Sequence, residues 1–205
     1  MIKVVSFDIG GTLISLKSEP NKIRVLANYL AADEQELRAY IKPILYCGNK
    51  TIKEISALLK SKYGQDCEDL LKQLYTPISS ITVHKSALHI LKRLKTEGYK
   101  LAVITNHNSL RTYPELPFID MFDYVIKSNE VGLCKPDKKI FDYLVNWAKV
   151  KPEEILHIGD HLVSDYHGAT DAGLKAILIS KKPQNKEVFT IDCLSKLNDI
   201  DISKL

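Results

Sequence analysis

Residues 2–13 read IKVVSFDIGGTL, and the fold turns on how that stretch divides. IKVVSF (2–7) is short, apolar and rich in β-branched residues, which is the pattern of a buried strand. It ends at Asp8; two glycines and a threonine follow before the chain turns apolar again at Leu13. YKLAVIT (99–105), ILHIGD (155–160) and KAILIS (175–180) have the same character, and YVIKS (124–128) is a weaker case. Helical periodicity lies between them. In HKSALHILKRLKTEG (84–98), Ala87, Leu88, Leu91 and Leu94 form one stripe and Gly98 is a good stop. KPDKKIFDYLVNWAKV (135–150) places Pro136 near a helix start, with Ile140, Phe141, Leu144, Val145 and Trp147 on an apolar face. Strands alternating with helices of this length imply βαβ units and a parallel sheet, an α/β fold.

One connection is too long for that scheme. A single helix would carry the chain from IKVVSF to YKLAVIT, yet the intervening residues hold NKIRVLANYLA, EQELRAYI, TIKEISALLKSKYG and CEDLLKQLY, all helical in pattern. Ile52, Ile55, Leu58 and Leu59 form a clear stripe. Residues 14–79 therefore read as a small helical insertion after the first strand, and residues 1–13 with 80–205 as the core. The closing VFTIDCLSKLNDI (188–200) reads as a short strand and a helix.

Composition narrows the classes of function. A chain of 205 residues, 45% hydrophobic and 26% charged, supports a real core beneath an ordinary surface. A net charge of +4, spread along the chain among acids, lacks the dense basic stripe of a nucleic-acid-binding face. No apolar stretch is long enough to span a bilayer, and MIKVVSFD lacks the features of a signal peptide. Cys47, Cys67, Cys134 and Cys193 form no CxxC pair, so free thiols and a reducing, cytoplasmic compartment are expected rather than a zinc site or a disulfide framework.

In an open parallel sheet, ligands bind beyond the carboxyl ends of the strands. The residues expected there are Asp8, Thr105 with Asn106, and Gly159 with Asp160; Lys135 follows the weaker strand, in GLCKPD. These types fit phosphoryl transfer, which needs a nucleophile, cationic neutralisation and fixed donors. Asp8 supplies a nucleophile able to form an aspartyl phosphate. Two carboxylates beside a phosphate call for a hard cation, and Mg²⁺ suits a site with few protein carboxylates. Lys135 adds a fixed positive charge, Thr105 and Asn106 add donors, and Gly10 and Gly11 let backbone N–H groups approach the phosphate.

FDIGGTL (7–13), VITN (103–106), KPD (135–137) and HIGDHLVSDYHGATDAG (157–173) together resemble the motifs of the haloacid dehalogenase superfamily of hydrolases, in that family's order. The resemblance covers nearly the whole chain. It implies a Rossmann-like parallel sheet core with a small helical cap domain inserted after the first strand. It further implies Asp8 as nucleophile; Asp8, Asp160 and the carbonyl of Gly10 as Mg²⁺ ligands, supported by Asp165; and Thr105, Asn106 and Lys135 as phosphate binders. The expected partner is a small phosphorylated molecule, with neither nucleic acid nor membrane; oligomeric state stays open.

The departure is at Gly10. Phosphatases of this family usually carry an aspartate there, which protonates the leaving group and activates water. A substrate with a good leaving group is expected to need that help least. His107 and His161 are candidate replacements. The other histidines, His84, His89, His157 and His167, read as surface or element-end residues; Thr12 reads as bonding the Asp8 loop; Arg111 is a weaker candidate for a substrate anion. Three rival readings stay open. Carbon–halogen hydrolysis needs no acid. Phosphonate cleavage needs a cap lysine, for which Lys50, Lys53 and Lys60 are available. A low-turnover phosphate-binding or regulatory module would keep the fold without the chemistry.

Overall fold

The computed structural model describes residues 1–15, 21–78, 81–182 and 184–205. In chain order these form β1 (Val4–Phe7), β2 (Ile14–Ser15), α1 (Lys22–Tyr29), α2 (Glu34–Tyr46), α3 (Ile52–Tyr63), α4 (Glu68–Leu74), β3 (Thr82–Val83), α5 (Ala87–Thr96), β4 (Lys100–Thr105), β5 (Tyr124–Lys127), α6 (Ser128–Val131), α7 (Lys138–Ala148), β6 (Ile155–Gly159), α8 (Gly168–Asp171), β7 (Lys175–Ile179) and β8 (Thr190–Ile191). A π-helical turn, Leu162–His167, leads from β6 into α8. The last residues add single 3₁₀ turns.

Among the described residues six strands form one parallel sheet in the order β5-β4-β1-β6-β7-β8. The α/β reading of the sequence thus holds. Alternation along the strands feeds two layers. Val5, Phe7, Leu101 and Val103 face α5, whose Ala87, Ile90, Leu91 and Leu94 are fully buried. Val4, Ala102 and Ile104 face α7 through Ile140, Phe141 and Leu144. The stripe expected on α5 is shifted: Leu88 is 37% exposed and Ile90 takes its place. A window of i, i+3 and i+4 positions admits either residue, and only the tilt of the helix on the sheet chooses.

Helices α1 to α4 gather around a third apolar cluster containing Leu37, Ile41, Leu45, Ile55, Leu59 and Leu71. Helices α2 and α3 begin with side-chain caps: Asp33 accepts from Glu36 N–H, and Thr51 with Glu54 forms a reciprocal capping box. Where the chain leaves for these helices and returns, β2 and β3 pair antiparallel, Ser15 opposite Thr82. The insertion boundary expected at Ser79 lies outside the described residues.

One expectation fails outright. Cys47, at the end of α2, is disulfide-bonded to Cys134, 87 residues away, with Cα atoms 5.7 Å apart. Local spacing could not reveal this pair, because the fold alone brings its halves together. Cys67 and Cys193 remain free thiols. The free-thiol argument for a reducing compartment therefore loses two of its cysteines. No helix among the described residues is long and apolar enough to cross a membrane.

Candidate active site

Strand β1 lies in the middle of the sheet, between β4 and β6, where the strand order reverses. The carboxyl ends of these three strands deliver Asp8, Thr105 and Gly159, with Asn106 and Asp160 next in the chain. A cavity of about 690 Å³ opens over them and is lined by Asp8, Gly10, Thr105, Asn106, Lys135 and Asp160, with Asp165 alongside. The strand-end residues expected from the sequence thus meet at one rim. The lysines of the helical segment considered for Schiff-base chemistry, Lys50, Lys53 and Lys60, do not line this cavity.

The centre of the rim is an ion cluster. Buried Lys135 donates to Asp8 Oδ1 at 2.8 Å and to Asp165 Oδ1 at 2.5 Å. Carboxylate oxygens of Asp8, Asp160 and Asp165 lie within 4.8 Å of one another. Burial pushes the Lys135 ammonium toward neutrality, but Asp8 and Asp165 more than offset it and hold it charged. Burial raises Asp8 above the usual carboxylate range, and Lys135 offsets this only in part. Burial acts on Asp165 in the same direction, yet Lys135 and then His157 outweigh it and hold its carboxyl well below that range. Asp160, open to the cavity on its outer side, is pushed up to about 6 by desolvation and then by Asp8 and Asp165. Three acids thus share one ammonium. The excess negative charge and the hard oxygen donors fit a small divalent cation.

The loop after β1 is shaped for close approach. Gly11 sits at φ +78, and a Cβ there would collide with the Asp160 carboxylate, so both its conformation and its space require glycine. Gly10 lies outside the left-handed region, with nothing within 4 Å of a Cβ. Thr12 bonds the loop through its backbone, its N–H donating to the Ile9 carbonyl at 3.3 Å, while its buried hydroxyl has no hydrogen-bond partner among the described residues. Asn106 is engaged on both sides of its amide. Its Nδ2 donates to the Lys135 carbonyl at 3.0 Å, and its Oδ1 accepts from the Lys135 N–H at 2.8 Å. The side chain thereby fixes the lysine backbone at the rim.

The histidines sort differently from expectation. His157 is not at the surface but fully buried in β6, where burial pushes its pKa down. Its Nδ1 meets Ser6 Oγ at 2.8 Å, and its Nε2 lies 3.5 Å from Asp165 Oδ1. A polar residue inside each of two apolar strands, Ser6 and His157 in register, was the available signal. His107 lines the cavity and is held below its ordinary pKa by burial and then by Lys127, which makes it a poor proton donor near neutrality. His161 also lines the cavity, and its Nδ1 accepts from Ser164 N–H at 3.1 Å. Backbone His161 N–H in turn donates to Asp165 at 2.9 Å. Tyr46, at the end of α2, also lines the cavity.

The family model of haloacid dehalogenase-like hydrolases matches residues 2–173. A glyceraldehyde 3-phosphate phosphatase of Methanothermobacter thermautotrophicus is 27% identical, over 98% of this chain and all of that protein. A magnesium complex of a haloacid dehalogenase family enzyme from Bacteroides thetaiotaomicron is similar in structure, with a TM-score of 0.65, 19% identity, and coverage of 91% of this chain and 97% of that one. A 2-haloacid dehalogenase from Pseudomonas syringae pv. tomato gives 0.60 at 22% identity, covering 97% of each chain. These two structural likenesses show the fold and leave the choice of chemistry to the site.

Proposed function

The chain belongs to the haloacid dehalogenase-like hydrolases, and from that premise we propose that it is a Mg²⁺-dependent phosphatase acting on a small phosphorylated metabolite with a good leaving group. The observation that carries this reading is the excess of carboxylates around Asp8, Asp160 and Asp165 beside a single ammonium. A site this rich in carboxylates suits Mg²⁺ better than a metal-free dehalogenase. In this reading Asp8, Asp160 and the carbonyl of Gly10 hold the cation, and Asp165 supports it while anchoring Lys135. The bound cation would neutralise charge on the phosphoryl oxygens and keep the acids ionised.

The chain's own residues do the remaining work. Asp8 attacks phosphorus as the P–O bond to the leaving group breaks and that group departs as its anion, giving an aspartyl phosphate; water then attacks the phosphorus, releasing phosphate and regenerating the Asp8 carboxylate. Lys135 and Thr105, with backbone N–H groups of the Gly10–Gly11 loop, hold the phosphoryl oxygens; Asn106 holds Lys135 in place. Residues 14–79 serve as a cap over the cavity. The Methanothermobacter relative is named for glyceraldehyde 3-phosphate; that substrate is an alkyl ester, so in this reading it should turn over far more slowly than an aryl phosphate. Carbon–halogen hydrolysis is the second reading, favoured by the absence of an acid at Gly10 and opposed by the acidic cluster. The cytoplasm remains our proposed compartment.

The test is Asp8→Asn assayed on an aryl phosphate with Mg²⁺. Turnover should fall to background while the circular dichroism spectrum stays native. Wild-type turnover in the variant, or full activity in excess chelator, would overturn the reading.

A further inference from the structure

The disulfide between Cys47 and Cys134 sits at the wall of the cavity. Cys47 follows Tyr46, and Cys134 precedes Lys135, so each half of the bond adjoins a residue that lines the cavity. Few other polar ties hold the end of α2 here. Ser128 Oγ donates to the Tyr46 carbonyl at 2.6 Å, Ser109 N–H donates to the Leu45 carbonyl at 2.7 Å, and Ser109 Oγ reaches the Lys50 carbonyl at 3.4 Å. Both cysteines are partly exposed.

We propose that Cys47–Cys134 is a redox-operated latch that seats the end of α2, and with it Tyr46, against the Lys135 loop, and so sets the size of substrate the cavity admits. With the bond closed, the Tyr46 wall is covalently fixed and only small substrates fit beneath it. With the bond open, the end of α2 is held by the packing of Leu45 in the apolar cluster that includes Leu110 and by these hydrogen bonds, with no covalent tie, and the wall can yield to a bulkier substrate. The reductant is an external dithiol. One of its thiolates attacks a protein sulfur, the S–S bond breaks, and the released cysteine takes a proton. Its second thiol then displaces the remaining protein sulfur, which is also protonated. Two electrons pass to the protein, which ends with two thiols, and the reductant ends as a cyclic disulfide. A partly exposed disulfide with a role in positioning belongs to the labile and regulatory kind.

The proposal rests on the phosphatase reading only for its activity assay. The intact protein is oxidised in air with catalytic copper phenanthroline or reduced with dithiothreitol, and its thiols are titrated in denaturant. Two thiols per chain are expected in the oxidised form, from Cys67 and Cys193, and four in the reduced form. Reduction should raise the ratio of kcat/KM for a bulky over a small aryl phosphate, on the order of tenfold, because a displaced wall alters how the substrate is held. Cys47→Ser should show the reduced ratio in both media. Independently of activity, deuterium uptake at residues 41–48 and 128–135 should rise on reduction and in Cys47→Ser. Four thiols after oxidation, or exchange that ignores the redox state, would overturn the latch. A substrate ratio unchanged while the thiols go from two to four would do the same. Absence of phosphate hydrolysis in both states would instead overturn the phosphatase reading, and the exchange measurement would still decide the latch.

Discussion

Gly10 and Gly11 are neighbours with opposite tolerances. Gly11 is locked by its positive φ and by the carboxylate of Asp160, so Gly11→Ala should displace a metal-site acid and lower turnover sharply while the rest of the fold survives. Circular dichroism and aryl phosphatase activity, measured on the same sample, check this; an active alanine variant would contradict it. Gly10 has neither constraint. A Cβ there meets open space, and an aspartate would supply the proton donor that the sequence resemblance leads one to expect at this position. Protonation of an alkoxide leaving group contributes about 10²–10⁴-fold, whereas an aryl oxide leaves with little help. The wild type should therefore prefer aryl or acyl phosphates steeply, and Gly10→Asp should narrow the gap by raising activity on alkyl phosphates. The measurement is kcat/KM for an aryl and an alkyl phosphate in both proteins. If the wild type hydrolyses the two alike, another group supplies the proton. His161 would then be examined before His107, whose burial beside Lys127 disfavours the protonated form.

At the scale of elements, β6 and the turn behind it carry more than their sequence revealed. The strand itself was legible, because ILHIGD has the apolar run of a buried strand and ends in a glycine and an acid. The role of His157 was not: a histidine inside an apolar run is visible as an anomaly, but only the register of the sheet names its partner. That partner, Ser6, comes from β1 through parallel pairing. The π-helical turn was likewise hidden; its hydrogen-bond pattern brings Asp165 under the rim, where its carboxylate accepts from both Lys135 and His161 N–H. The two-residue strands β2 and β3 are too short to show alternation, and the disulfide joins segments that only the finished fold makes adjacent. The candidate rim was readable because strand ends are punctuated by polar residues; the supports beneath it depend on pairing and were not. His157→Phe keeps the ring and its edge-on contact with Phe141 but loses both polar partners. A group that orients a metal-supporting carboxylate is typically worth about 10–100-fold in metal affinity or activity. The variant should need correspondingly more Mg²⁺ for half-maximal activity. An unchanged requirement would make His157 a packing residue only.

The whole molecule gathers acids from distant parts of the chain around one lysine. Asp8 comes from β1, Asp160 and Asp165 from the end of β6 and its turn, and Lys135 from the loop before α7. In the unfolded chain these groups are apart and repel little. Folding brings the three carboxylates within 4.8 Å, and Lys135 cannot neutralise them all. Desolvation first, and then the neighbouring Asp8 and Asp165, push the Asp160 carboxyl up to about 6. A divalent cation that binds the folded cluster and not the unfolded chain should therefore stabilise the fold by mass action, whatever the substrate. At a Mg²⁺ concentration about 100 times Kd the gain is about 2.7 kcal/mol. For a chain of this size 1 kcal/mol moves the melting temperature by roughly 2–4 °C, so a rise of about 5–10 °C is expected. Asp160→Asn should melt higher than wild type without metal, because one repelling charge is gone, and should respond less to Mg²⁺. Scanning calorimetry with a sodium chloride control of equal ionic strength separates this from screening. A melting temperature that Mg²⁺ moves no further than sodium chloride would remove the metal from the site, and with it the role assigned to Asp160.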